Sequence, residues 1–221
     1  MRIGIFGGTF DPVHVGHLIL AEQCREQGQL DQVWFLPAAR PPHKLDRELT
    51  PFSLRVEMLP LAIAGNKAFR VEEIERDRPG PSYTADTLDA LSAMYPDGEW
   101  HLLIGSDTLA DLPFWHEPQR ILRRAGLVIV DRPNQSAPTV ESVRASLATL
   151  GVPAIRSQLV KMPLIDVSSR DLRRRVALGL SVRYQVPRAV ECYIETKRLY
   201  RPKDSLPEKE TSNPLGKGST P

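Results

Sequence analysis

His14 and His17 stand three residues apart at the end of the run Gly7-Gly8-Thr9-Phe10-Asp11-Pro12-Val13-His14-Val15-Gly16-His17. On the first turn of a helix that spacing puts both rings on one side. Two imidazoles side by side can donate hydrogen bonds to charge that develops during a transfer reaction. The glycines ahead of them have no Cβ, so a ligand can come close to the backbone of Gly7, Gly8, Thr9 and Phe10. A helix N-terminus beyond them adds unpaired N–H groups and a positive dipole end, which favour phosphate. These residue types suit binding and charge stabilisation at a phosphate. The plain alternative is a strand, a turn and a helix with two surface histidines.

A second run has related chemistry. Val167-Ser168-Ser169-Arg170-Asp171-Leu172-Arg173 places two hydroxyls and a guanidinium around the start of a new helix, a second phosphate cradle. Ser168 and Asp171 also have the spacing of a capping box, so a capped, arginine-rich surface helix would explain them without a ligand. Three further runs carry polar groups to loops. Asp107, in Ile104-Gly105-Ser106-Asp107, can cap a helix or accept hydrogen bonds from ribose hydroxyls, with Gly105 beside it. Pro41-Pro42-His43-Lys44 stiffens a loop and aims Lys44, which is either solvated or reaches a phosphate. Ser82-Tyr83-Thr84-Ala85-Asp86 enters a helix that Ser82 or Thr84 can cap, and free N–H groups near Thr84 can bind a small carboxylate. Trp115, between Phe114 and His116, is an ordinary packing aromatic unless a ring lies against it. A P-loop is excluded, because Gly216-Lys217 is followed by Gly218.

The elements that must position these groups alternate between apolar runs and amphipathic stretches, the pattern of βαβ units. Strands are predicted over Arg2–Phe6, Gln32–Pro37, Phe69–Val71, Trp100–Ile104, Gly126–Asp131 and Val152–Ile155. Helices are predicted over Gly16–Gln27, Phe52–Ile63, Thr84–Tyr95, Asp107–Leu112, Pro118–Arg123, Val140–Leu150, Ser169–Leu178 and Pro187–Thr196. The expected fold is α/β: a Rossmann-like parallel sheet with helices on both faces and a small helical C-terminal part. Most of the polar runs then fall at the carboxyl ends of strands, the usual ligand crevice.

The chain of 221 residues, 41% hydrophobic, is long enough for one domain with a real core. Residues 1–200 are read as that domain. Residues 201–221 are rich in Pro, Lys, Glu, Ser, Thr and Gly and are expected to be a flexible tail. A net charge of +2 implies no nucleic-acid partner. No apolar run is long enough to span a membrane, and the start lacks a cleavable signal, so a cytoplasmic location is expected. Cys24 and Cys192 are expected as free thiols. The sequence leaves homo-oligomer formation open.

The first run resembles the nucleotidyltransferase superfamily signature Gly-x-Phe-Asp-Pro-x-His-x-Gly-His. Ser168, Ser169 and Arg173 are similar to its Ile-Ser-Ser-Thr-x-Ile-Arg run, with Arg170 standing where threonine is usual. Pro41-Pro42-His43-Lys44, Ser82-Tyr83-Thr84-Ala85-Asp86-Thr87-Leu88 and Trp115 are similar to segments of the bacterial nicotinate-nucleotide adenylyltransferases. The likeness extends to Leu199-Tyr200. It implies joining nicotinate mononucleotide to the AMP part of ATP, giving deamido-NAD and pyrophosphate, a step of NAD biosynthesis. It further implies that His14, His17 and Arg173 are catalytic and that Gly7, Gly8, Thr9, Phe10, Gly105, Asp107, Ser168 and Ser169 join them around ATP. Lys44, Ser82, Tyr83, Thr84 and Trp115 would hold the mononucleotide. Mg²⁺ is implied, bound mainly through ATP phosphates, with no protein carboxylates dedicated to it. A phosphopantetheine-type adenylyltransferase and a non-catalytic nucleotide sensor on the same fold are the alternatives. A class I aminoacyl-tRNA synthetase fragment would need a Lys-Met-Ser-Lys-Ser loop, which Lys161-Met162-Pro163-Leu164 is not.

Overall fold

The first apolar run, bounded by glycines, forms the strand β1 (Arg2–Gly8), and the histidine run delivers the chain to α1 (Val15–Gln27). Then come β2 (Gln32–Pro37), α2 (Phe52–Ile63), β3 (Phe69–Val71), α3 (Thr84–Met94) and β4 (Glu99–Gly105). The short α4 (Ser106–Leu109) and a 3₁₀ turn at Leu112–Phe114 lead to α5 (Pro118–Arg124), β5 (Ala125–Asp131) and β6 (Ser157–Lys161). The chain ends in α6 (Ser169–Ala177) and α7 (Arg188–Thr196). The computed structural model describes residues 1–42, 48–131, 145, 148, 151 and 156–202. The strand predicted at Val152–Ile155 and Lys44 lie outside the described residues. Of the helix predicted at Val140–Leu150, Ala145 and Ala148 are helical.

The six strands form one parallel sheet in the order β3-β2-β1-β4-β5-β6. Successive side chains of a strand point to opposite faces. Phe6, Val33, Phe35, Leu103, Val128 and Val130 therefore share one core with residues of α1, α2, α6 and α7. Ile3, Ile5, Trp34, Leu36, Leu102, Ile104, Leu127 and Ile129 share the other with α3, α4 and α5. A sheet buried on both faces explains why its strands read as unbroken apolar runs. The expected α/β architecture is present, and the C-terminal helices pack on the same face as α1.

The strand order reverses between β1 and β4. Their connections leave on opposite faces, the topology that places a ligand site at the carboxyl ends of the two strands. At the outer edge, α1 and β6 are clasped: Gln27 Nε2 donates to the Lys161 carbonyl at 2.8 Å and Gln27 Oε1 accepts the Lys161 N–H at 3.0 Å. Gln158 Nε2 donates back to the Gln27 carbonyl. Cys24 and Cys192 are free thiols, and burial pushes the Cys24 thiol up to about 12. Among the described residues no helix is long and apolar enough to cross a membrane.

At the opposite, amino end of the sheet, His101 is 5% exposed, with Nε2 3.3 Å from Glu99 Oε1. Burial lowers its pKa, nearby Arg2 and Arg156 lower it further, and Glu99 partly opposes them. The unfolded chain therefore takes up this proton more readily than the folded one. The stability from neutral His101 is complete above the ordinary histidine value of 6.5 and is lost as pH falls below it. Replacing His101 with glutamine should flatten the fall in melting temperature between about pH 7 and 5. An unchanged pH slope would refute that account.

Candidate active site

The loop from β1 to α1 is shaped by packing. Phe10 takes a left-handed backbone, φ 49°, and its ring meets Phe6, Phe35 and His17 with centroids 5.1–5.7 Å apart. A Cβ on Gly8 would lie 2.8 Å from the Phe10 ring, so glycine there makes room for this turn. Gly7 is exposed, with open space where a Cβ would be.

His14 is the N-cap of α1, with an extended backbone at φ −145°, and His17 is the third helical residue. The pair is thus a cap and a first-turn residue, where the sequence placed both on the turn. The rings still meet, stacked at 3.7 Å with 27° between planes. The His14 N–H donates to His17 Nδ1 at 3.1 Å. An acceptor Nδ1 leaves the proton of the neutral imidazole on Nε2, so that nitrogen is a donor. His14 is 6% exposed beneath its partner, and a Cβ on Gly16 would come within 3.0 Å of its Nδ1.

His17 opens onto a cavity of about 150 Å³ that Thr9, Phe10, Asp11, Ser169 and Arg173 also line. Ser169 and Arg173 belong to α6, more than one hundred and fifty residues away in sequence, and specific bonds bring them in. Ser169 Oγ donates to the Pro12 carbonyl at 2.9 Å, and Arg173 donates to the Asp11 carbonyl at 2.6 Å. Ser168 is the N-cap of α6, its Oγ accepting the Asp171 N–H at 3.2 Å. With the Ser169 hydroxyl proton committed to Pro12, an anion here would meet the backbone N–H groups of α6, its dipole and Arg173. Arg170 is exposed and does not line this cavity.

A second cavity, of about 190 Å³, is lined by Ser82, Tyr83, Thr84, Phe114, Trp115 and His116, among others. The Ser82 and Thr84 caps expected for α3 are not found. Tyr83 is the N-cap and makes no side-chain capping bond. Ser82 Oγ instead accepts the Arg40 N–H at 3.1 Å, and the Ser82 N–H donates to the Arg40 carbonyl at 2.9 Å, tying the loop after β2 to the start of α3. The N-terminus of the eleven-residue α3 therefore keeps N–H groups that its cap does not occupy, facing this cavity. Tyr83 and His116 stack at 4.1 Å across its wall. Trp115 is partly buried against the α3–α5 core.

Gly105 ends β4 beside β1 and is itself the N-cap of α4. Asp107 is inside that helix rather than its cap, because the strand runs on to Gly105.

Among the described residues, the clustered metal-ligating groups are already engaged. Asp86, His116 and Glu117 present ligand atoms within 4.8 Å of one another. The guanidinium of Arg120 already pairs with Asp86, Glu117 and Asp89 there, so a cation's place is taken. Asp11, beside the histidine cavity, is 3% exposed and has both carboxylate oxygens engaged, by Tyr200 and Thr50.

A sequence model of a family described as cytidylyltransferase-like matches residues 5–175. A protein of Thermomicrobium roseum named "probable nicotinate-nucleotide adenylyltransferase" is 47% identical over 209 residues, covering 93% of this chain and 94% of its own. One of Thermus thermophilus with the same name is 44% identical over 205 residues, covering 91% of this chain and all of its own. The chain belongs to the nicotinate-nucleotide adenylyltransferase family. The solved structure of a Plasmodium falciparum nicotinic acid mononucleotide adenylyltransferase complexed with NaAD superposes with a TM-score of 0.73, over 90% of this chain and 97% of that one. At 19% identity that likeness speaks for the fold.

The contacts of three residues of this family member are not legible in the sequence, although His116 beside Trp115 and the closing Leu199-Tyr200 are visible there. Arg55 of α2 is 1% exposed and donates to the carbonyls of Thr9 at 2.7 Å and Thr50 at 2.9 Å. Burial lowers its pKa, and the Asp11 charge nearby opposes that. A lone arginine inside Phe52-Ser53-Leu54-Arg55-Val56 was the available signal. The sequence carries no sign of the contacts of Tyr200 and His116, because their partners Asp11 and Tyr83 are distant in sequence.

Proposed function

We propose that this enzyme transfers the adenylyl group of ATP to nicotinate mononucleotide, giving deamido-NAD and pyrophosphate. One observation carries the reading: His17 and Arg173 face one cavity while the uncapped start of α3 and Trp115 face another, both on the carboxyl side of the sheet. A phosphate oxygen of the mononucleotide attacks the α-phosphorus of ATP in line. The new O–P bond forms as the bond from the α-phosphorus to the bridging oxygen breaks, and that electron pair leaves with pyrophosphate. No protein nucleophile is needed, so positioning and charge stabilisation supply the catalysis. The His17 Nε2–H donates to the phosphates, and His14 holds that ring from below through its stacked ring and backbone N–H. Arg173 and the α6 N-terminus hold the leaving β- and γ-phosphates. N–H groups around Thr84 take the pyridine carboxylate, and Trp115 covers the ring. Lys44, Gly105 and Asp107 keep the roles that the resemblance implies. A divalent cation, Mg²⁺ by its preference for phosphate oxygens and water, enters with ATP as part of the substrate.

The test is to supply ATP and Mg²⁺ with nicotinate mononucleotide, nicotinamide mononucleotide or phosphopantetheine and follow pyrophosphate. Release with phosphopantetheine alone would transfer the assignment to that class. Within the α6 run, Arg173→Ala should raise the KM for ATP by about tenfold or more, the scale of a lost charged hydrogen bond, and Arg170→Ala should change it less than about twofold. A larger effect at Arg170 would reverse the roles given to the two arginines.

A further inference from the structure

Tyr200 lies near the end of the described residues, yet its hydroxyl reaches the loop before α1. Tyr200 Oη donates to Asp11 Oδ1 at 2.8 Å, across 189 residues of sequence. The chain bends back to make that contact through two left-handed residues, Arg198 at φ 52° and Tyr200 itself at φ 64°. Left-handed backbone is unfavourable for residues with a Cβ, so compensating contacts hold this turn. Burial pushes the Tyr200 hydroxyl pKa up, and the neighbouring Asp11 carboxylate pushes it further, so the group stays protonated and remains a donor. The other Asp11 oxygen accepts the Thr50 N–H at 3.3 Å and lies 4.0 Å from an Arg173 nitrogen, which also donates to the Asp11 carbonyl.

We infer that Tyr200 is a positioning residue for the phosphate site: its hydroxyl fixes the Asp11 carboxylate, and Asp11 in turn fixes Arg173. The inference rests on the reading that Arg173 meets the phosphates of ATP. A carboxylate anchored from behind offers Arg173 one defined place. Without the Tyr200 hydroxyl the carboxylate loses that anchor, and Arg173 loses the one defined place it gave. A group 1 Å out of place is enough to cost a large part of its effect on a substrate.

The experiment compares Tyr200→Phe, Asp11→Asn, the double variant and Arg173→Ala in the full chain, with melting curves and KM values for both substrates. Tyr200→Phe keeps the ring and should raise the KM for ATP about fivefold to tenfold, somewhat below the loss of a full charged hydrogen bond, with the KM for nicotinate mononucleotide within about twofold. Asp11→Asn should give the same selective rise, and adding Tyr200→Phe to it should change little more, because the two act in series. A folded Tyr200→Phe enzyme with an unchanged KM for ATP, or with both KM values raised alike, overturns the inference. Should Tyr200→Phe fail to fold, Asp11→Asn decides, since a normal KM for ATP there breaks the chain at its middle. If Arg173→Ala itself leaves the KM for ATP unchanged, the assignment of Arg173 fails, a different result from a failure of Tyr200 alone.

Discussion

His17→Ala should fold normally and lose about 100-fold or more in kcat, the scale of removing one donor aimed at transition-state charge. The size follows from the local geometry. The His14 N–H on Nδ1 and the Phe10 ring at 5.1 Å hold the imidazole before any substrate arrives. A donor fixed in advance needs no reorganisation when charge develops, which is why its loss is felt in kcat more than in KM. Folding should survive, because His17 is partly exposed at the cavity while Phe6, Phe10 and Val13 carry the packing. His17→Gln is a useful companion, since its amide can donate but is not held by the same stack; it should fall between the two. Near-normal turnover by a well-folded His17→Ala enzyme would remove His17 from the catalytic assignment.

The second large effect concerns the choice between nicotinate and nicotinamide mononucleotide. The start of α3 offers N–H donors and the positive end of a helix dipole, with no capping side chain competing for them. A carboxylate meets such a site with two acceptors and a charge. An amide meets it well only with its oxygen inward; with its nitrogen inward, donor faces donor and buried N–H groups go unpaired. The amide can rotate, so discrimination is strong but incomplete. The expected preference is at least about 100-fold in kcat/KM, or about 2.7 kcal/mol. Side-by-side kinetics with the two mononucleotides measures it, and equal efficiency would defeat this account of α3 while leaving adenylyl transfer untouched.

What could be read from the sequence follows from how local each feature is. The bounds of β2, β3 and α2 agree residue for residue with the structure, because turn-forming residues or proline sit at their ends. The sequence does not predict the strand β6. It begins Ser157-Gln158 and lies at a sheet edge with three exposed residues, so it lacks the apolar run of a central strand. The pairing of His14 with His17 was legible because three residues separate them. The contacts that bring α6 to the histidine loop were not, since Arg173 finds a backbone carbonyl at Asp11 and a carbonyl leaves no mark in a sequence. The α3 cap was misread for a related reason. Ser82 has the composition of a cap, but Arg40 offers its hydroxyl a competing partner from another loop.

The clasp between Gln27 and Lys161 bears on how this molecule behaves among its own kind. An outermost strand is a template on which a strand from another chain can pair, the first step of aggregation by edge addition. Here a side-chain amide makes the two bonds to Lys161 that such a strand would make, one as donor and one as acceptor. An incoming chain would first have to displace an amide that its own helix holds in place. The glutamine at the end of α1 thus acts as a stopper at the β6 edge of the sheet.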